Sequence, residues 1–145
     1  TRNHSSAASD VYKRQMQIKF NNLLKKEIMS EIKRFQVGER MSQAVVHGDT
    51  VYTAGQVAQS APGASVADQT RGILSQIDDL LREAGTDKSR LISATIWLSD
   101  ISTFNEMNEI WDAWVVQGQT PCRACVESKL AAPQFTVEIS VIAAL

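Results

Sequence analysis

The stretch Pro121-Cys122-Arg123-Ala124-Cys125-Val126-Glu127 holds the residue types best suited to small-molecule chemistry. Its small and β-branched residues, bounded by Pro121 and Pro133, read as a short strand. Alternation puts Arg123, Cys125 and Glu127 on one face and Cys122, Ala124 and Val126 on the other. A guanidinium is always charged and carries five donors in a planar fork that matches a carboxylate. Arg123 therefore either holds the carboxylate of a small substrate or closes a structural ion pair within the domain or across a subunit contact. The spacing of Cys122 and Cys125 could mean redox chemistry or metal. Against that, a redox pair of this kind sits at a helix N-terminus, and in a strand positions i and i+3 face opposite ways. A zinc site would need further Cys or His partners. The two histidines, His4 and His47, lack ligand spacing to each other. His47, beside a turn, reads as a solvated strand end rather than a catalyst.

The surrounding chain must position that strand. Its 145 residues are 43% hydrophobic and 21% charged, which suits one globular domain with a real core. A net charge of −1 gives no basic surface for nucleic acid or membrane. No apolar run approaches the ~20 residues of a membrane helix, and no apolar secretory core precedes the domain. Two cysteines make no disulfide framework, so the expected location is the reducing cytoplasm.

Ile32-Lys33-Arg34-Phe35 reads as a weak strand. Ala44–His47 and Thr50–Gly55 read as a hairpin turning at Gly48-Asp49. Gly55 ends a strand, either as a simple bulge or where bare backbone can approach a ligand. After the Ser60–Ser65 loop, Val66, Thr70, Ile73, Leu74, Ile77, Leu80, Leu81 and Ala84 follow helical spacing, with Asp68, Gln69, Gln76 and Asp79 on the wet side. Gly85 is the expected stop, and Gly72 inside the helix suggests close packing on the sheet. Leu91–Leu98 has apolar groups on both faces and reads as a central strand. Thr103 and Glu106 have capping-box spacing for a second helix. Its stripe is Phe104, Met107, Trp111, Trp114 and Val115, read as core packing rather than an aromatic ligand box. A last strand puts Val137, Ile139 and Val141 on one face, Glu138 and Ser140 on the other. This order predicts an α+β fold: a mixed sheet with two helices on one face, and self-association through the other.

Residues 1–28 differ in character. They lack clear periodicity, and a basic, Ser-rich organelle transit peptide is one reading. Ser6–Gln15 also resembles translated adaptor sequence, and Lys25-Lys26-Glu27-Ile28 a ribosome-binding site read in frame. The expectation is a non-native or disordered leader over 1–28 and a single domain over 29–145 starting at Met29.

Several short motifs together carry a family resemblance. They are Ser42-Gln43-Ala44, Ala54-Gly55-Gln56, Gln69-Thr70-Arg71, Phe104-x-x-Met107-Asn108, Pro121-x-Arg123-x-Cys125-Val126 and Val137-Glu138-Ile139. In combination, over residues 29–145, they resemble the YjgF/RidA family of reactive intermediate deaminases. The Trp111–Val116 run is similar to its YoaB-like branch. The resemblance implies a chorismate-mutase-like fold and a homotrimer with sites between subunits. It further implies hydrolysis of enamines and imines such as 2-aminoacrylate to 2-keto acids and ammonia, without metal or organic cofactor. Residue by residue, it gives Arg123 the substrate carboxylate and Glu138 the attacking water. Main-chain groups at Cys125 and Gly55 bind substrate oxygens, and Asn108 shapes the site. Met41 and Ala54 depart from the pattern, replacing an aromatic residue and a hydroxyl. A non-catalytic module that senses a small keto or amino acid is the alternative. Third comes a protein-interaction or ribonuclease role, to which the near-neutral charge lends little support.

Overall fold

The computed structural model describes residues 4–145. Helix α1 spans His4–Ser30, and strands β1 (Ile32–Val37), β2 (Ser42–His47) and β3 (Thr50–Thr53) follow. Helix α2 covers Val66–Ala84, β4 Leu91–Leu98, α3 Phe104–Trp114, β5 Cys122–Glu127 and β6 Val137–Ala144. The strands form one six-stranded sheet in the order β1-β2-β3-β6-β4-β5. All neighbours pair antiparallel except β4 and β5, whose parallel pairing needs the crossover through α3. The β2–β3 hairpin turns at Gly48-Asp49 as expected, with Gly48 in the left-handed region at φ 63°. Strand β4 is paired on both sides, which agrees with its two apolar faces.

The core lies on one side of this sheet. Ala94, Ile96 and Leu98 of β4 and Val137, Ile139 and Val141 of β6 pack with Ile73, Ile77 and Leu81 of α2 and Met107 and Trp111 of α3. Each such aliphatic side chain, fully buried, contributes about 2 kcal/mol. The alternate residues Thr95, Trp97, Glu138, Ser140 and Ile142 face the other way and are half-buried. Both α2 and α3 thus cover one face, as the patterning predicts, and no described helix covers the other.

Three local expectations change, all within residues 31–145. Ahead of them, residues His4–Ser30 form a helix. The described side chains of α1 are exposed along its length, from Ser6 on. Its apolar residues, among them Val11, Ile18, Phe20 and Leu23, are spread around the helix rather than along one stripe, so periodicity finds no face. Thr103 makes no side-chain cap bond. Its hydroxyl donates instead to the Asp100 carbonyl at 2.6 Å, and Glu106 crosses over to accept from the Ala67 amide at 3.2 Å. That carboxylate therefore serves the N-terminus of α2, where the helix dipole favours it. Gln69, expected in water, is fully buried. Its amide donates to the carbonyls of Ala64 and Gln134 and accepts from the Thr136 N–H, so every polar atom is satisfied. Gly72 makes room for a loop rather than the sheet: a Cβ there would meet Ser60 Oγ at 3.1 Å.

The stop at Gly85 is as expected. With φ 95°, its N–H bonds the Arg82 carbonyl, and the Thr86 N–H bonds that of Leu81. No described helix is long and apolar enough to cross a membrane.

Candidate functional site

Arg123 is positioned by α3. Phe104, Asn108 and Trp111 recur at i, i+4 and i+7, so they form one stripe along that helix. The Arg123 guanidinium lies against this stripe, 5.4 Å from the Trp111 ring and 5.7 Å from Phe104. Its Nη1 donates to Asn108 Oδ1 at 2.7 Å. Cation–π contacts of this kind contribute about 0.5–2 kcal/mol and fix the plane of the fork. The ion pairs among the described residues, Arg71–Asp68 and Arg82–Asp79, lie on α2, so no carboxylate there neutralises Arg123. The ion-pair reading of Arg123 thus has no partner among the described residues.

Cys125 lies on the same side of β5 and packs against the core. Burial pushes its thiol above the ordinary thiol range, and the Arg123 guanidinium offsets part of that rise. Cys122 faces the other way and donates to the Ile92 carbonyl at 3.2 Å. The two thiols are free and point apart, as alternation requires. Strand β5 is an edge of the sheet, so one row of its main-chain groups faces away from β4. Main-chain binding near Cys125 is therefore sterically open.

Gly55 and Glu138 form a second cluster. Strand β3 ends at Thr53, after which the Ala54 N–H donates to the Gln43 carbonyl at 2.9 Å. Gln56 then pairs with Ile139 through two main-chain bonds of 2.8 and 3.1 Å. Gly55 is thereby pressed against Glu138: a Cβ on Gly55 would lie 2.8 Å from Glu138 Oε1. The glycine is needed for this approach and not for an unusual turn. The Glu138 carboxylate has no hydrogen-bond or ion-pair partner among the described residues and lines a groove of about 710 Å³. Met41, Gln43, Gln56, Gln76 and Phe135 also line it, whereas Arg123 does not.

The structure therefore brings Arg123, Cys125 and Asn108 together, and separately Gly55 and Glu138. It does not bring the two sets together in one chain, and the register explains why. Arg123 pairs with Ala94, which pairs with Val141, three residues along β6 from Glu138. An odd offset reverses the face. Two strand spacings and three residues of rise also separate the backbones by roughly 14 Å. Within one chain the two sets are thus separate half-sites, with the Arg123 and Glu138 side chains leaving opposite faces of the sheet. Sequence reasoning missed Phe104 and Trp111 as walls of the guanidinium site. Their spacing with Asn108 was the available signal, but core packing explained the same spacing.

Residues 31–145 match the family described as Endoribonuclease L-PSP. The chain is 40% identical over 114 residues to the Escherichia coli (strain K12) "RutC family protein YoaB", covering 79% of this chain and 98% of that one. It is 32% identical over 108 residues to the Rattus norvegicus "2-iminobutanoate/2-iminopropanoate deaminase", covering 70% and 77%. Among solved structures, NMB1025 of Neisseria meningitidis, a member of the YjgF protein family, is 40% identical with a TM-score of 0.77. The match covers 80% of this chain and 96% of that one. The similarity to YoaB agrees with the branch suggested by the Trp111–Val116 run.

Proposed function

Because this chain belongs to the Endoribonuclease L-PSP family, with YjgF- and RutC-family relatives, we propose that it is a hydrolytic deaminase of small 2-imino acids and their enamine tautomers. The observation that carries this reading is the Arg123 guanidinium, held by Asn108, Trp111 and Phe104 without a carboxylate partner among the described residues. A substrate carboxylate supplies the missing charge in a bidentate pair. Glu138 holds the attacking water and takes its proton as the oxygen adds to the C=N carbon. Glu138 passes that proton to the imine nitrogen to give the carbinolamine, then takes the hydroxyl proton and delivers it to the amine as the C–N bond breaks, so ammonia and the 2-keto acid leave with the carboxylate restored. Imine hydrolysis is intrinsically easy, so positioning supplies most of what is required.

Arg123 and Glu138 act together only if a neighbouring copy brings one to the other, so the working form is a homotrimer with sites between subunits. The half-buried sheet face bearing Trp97, Glu138 and Ile142 is the surface such copies cover. Free Cys122 and Cys125 suit a reducing cytoplasm. A distant relative named an imine deaminase supports the chemistry at family level. Met41 and Ala54 put apolar groups where polar contacts are expected, which favours one second reading, a non-catalytic module that binds a keto or amino acid.

The test generates 2-aminoacrylate with a serine dehydratase and follows keto-acid release. Wild type should accelerate release and Arg123→Ala should not. Equal behaviour of the two removes the catalytic reading. Calorimetric binding of pyruvate without turnover would establish the second one.

A further inference from the structure

The groove beside Glu138 is backed by a row of three glutamine side chains whose orientation is forced. Gln59 N–H donates to Gln76 Oε1 at 3.0 Å. A main-chain N–H can only donate, so the Gln76 oxygen is fixed there. Gln76 Nε2 then donates to the Val57 carbonyl at 2.9 Å and to Gln56 Oε1 at 3.2 Å. With its oxygen occupied, Gln56 must turn its nitrogen the other way. It donates to the Ala54 carbonyl at 3.2 Å and to Gln43 Oε1 at 2.9 Å. Gln56 is buried, and both ends of its amide are used. The polarity set by the Gln59 main chain thus runs through three side chains and ends at Gln43. There the NH2 group remains, without a protein partner among the described residues, in the groove that Glu138 also lines.

We propose that Gln43 is the hydrogen-bond donor that orients the water held by Glu138, and that Gln56 and Gln76 are positioning residues that keep its amide turned toward the groove. The proposal rests on the deaminase reading above. A water poised for attack has two hydrogens and two lone pairs. Glu138 accepts one hydrogen, Gln43 donates to one lone pair, and the second lone pair faces the imine carbon. A carboxylate alone leaves the water free to rotate. The added donor fixes the lone pair that forms the C–O bond, which is an orientation effect and not a binding one.

The experiment uses the full chain and 2-aminoacrylate, with Arg123→Ala as reference. Gln43→Glu is the informative variant, because its carboxylate still accepts from Gln56 while losing the donor. Gln43→Met removes both functions at similar size, and Gln56→Met cuts the row one residue earlier. Both Gln43 variants should lower kcat by at least about tenfold while KM, set by Arg123, stays within about threefold. Gln56→Met should lower kcat by about threefold. Circular dichroism melts separate loss of fold from loss of orientation, and Gln43→Glu is expected to melt like wild type. If wild type is active and Arg123→Ala is not, yet both Gln43 variants keep kcat within about twofold, the role of Gln43 is overturned and the deaminase reading stands. Full kcat in Gln56→Met overturns the positioning role of the row. An inactive wild type removes the deaminase reading, and this inference with it.

Discussion

The two half-sites solve opposite problems with opposite means. Arg123 is held by side chains: one amide oxygen and two aromatic faces, all on α3. Glu138 is held by main chain, through the Gly55 approach and the ladder that closes again at Gln56–Ile139. A long cation needs walls to fix its plane, because its stem has many rotamers. A short carboxylate on a central strand is already placed by its backbone and needs only space. The Arg123 and Glu138 side chains leave opposite faces of the sheet, so parity keeps them apart within one chain, although α2 residues such as Gln76 also line the groove beside Glu138. The difference teaches that each chain carries two unlike halves, and that a cyclic assembly can join every Arg123 half to a Glu138 half.

The largest effect comes from separating the halves onto different chains. Arg123→Ala and Glu138→Gln should each lose at least about 100-fold in kcat/KM. In the proposed trimer, the two inactive variants co-refolded in equal amounts should form mixed rings. In a trimer with each site shared between neighbours, about a quarter of sites then receive both native groups. About a quarter of wild-type activity should therefore return. No recovery after verified mixing would mean that each site draws both groups from one chain, and the comparison would break.

Smaller substitutions sharpen it. Gly55→Ala places a methyl 2.8 Å from Glu138 Oε1, so the carboxylate must shift. The expected outcome is a loss of about 30-fold in kcat with little change in KM, because only the water-holding half moves. Asn108→Ala acts on the other half. Removing a hydrogen bond to a charged group costs about 1.5 kcal/mol, so KM should rise about tenfold while kcat falls less. Steady-state kinetics on both variants checks the split. If both altered the same constant, the two halves would not have separate duties.

The α+β class, the hairpin at Gly48-Asp49, the stop at Gly85 and the placement of β4 could all be read from spacing and turn chemistry. The family was legible too, because several short motifs had to coincide. Gln69 was misread because hydropathy scores a residue type and not its partners. Three main-chain groups make that buried amide acceptable, and they come from segments as distant as Gln134 and Thr136. Thr103 and Glu106 failed as a capping box for a similar reason: Glu106 found the Ala67 amide across the α2–α3 contact. The faces of Arg123 and Glu138 were each correct within their own strands. What could not be read was the relation between them, because that depends on strand order and register. Neither is visible along one strand.

The smallest expected effect concerns the thiols flanking Arg123. Cys122 is exposed on the outer side of β5, whereas Cys125 is half-buried beside the guanidinium. Burial raises the Cys125 pKa and Arg123 lowers it by less, so the folded protein favours the neutral thiol. Only the thiolate attacks an alkylating agent. At mildly alkaline pH iodoacetamide should modify Cys122 severalfold faster, with Cys125 gaining reactivity at a pH above the ordinary thiol range. A raised pKa also means that the stabilisation from a neutral Cys125 is present below the unfolded pKa and is lost as pH rises through the folded one. Arg123→Ala removes the opposing charge, so Cys125 alkylation should slow further while Cys122, on the other face, changes little. Mass spectrometry of the two peptides over a pH series reads both sites at once. Equal slowing of the two thiols would show that the charge of Arg123 is not confined to the helix-bearing side, and would blur the distinction between the halves.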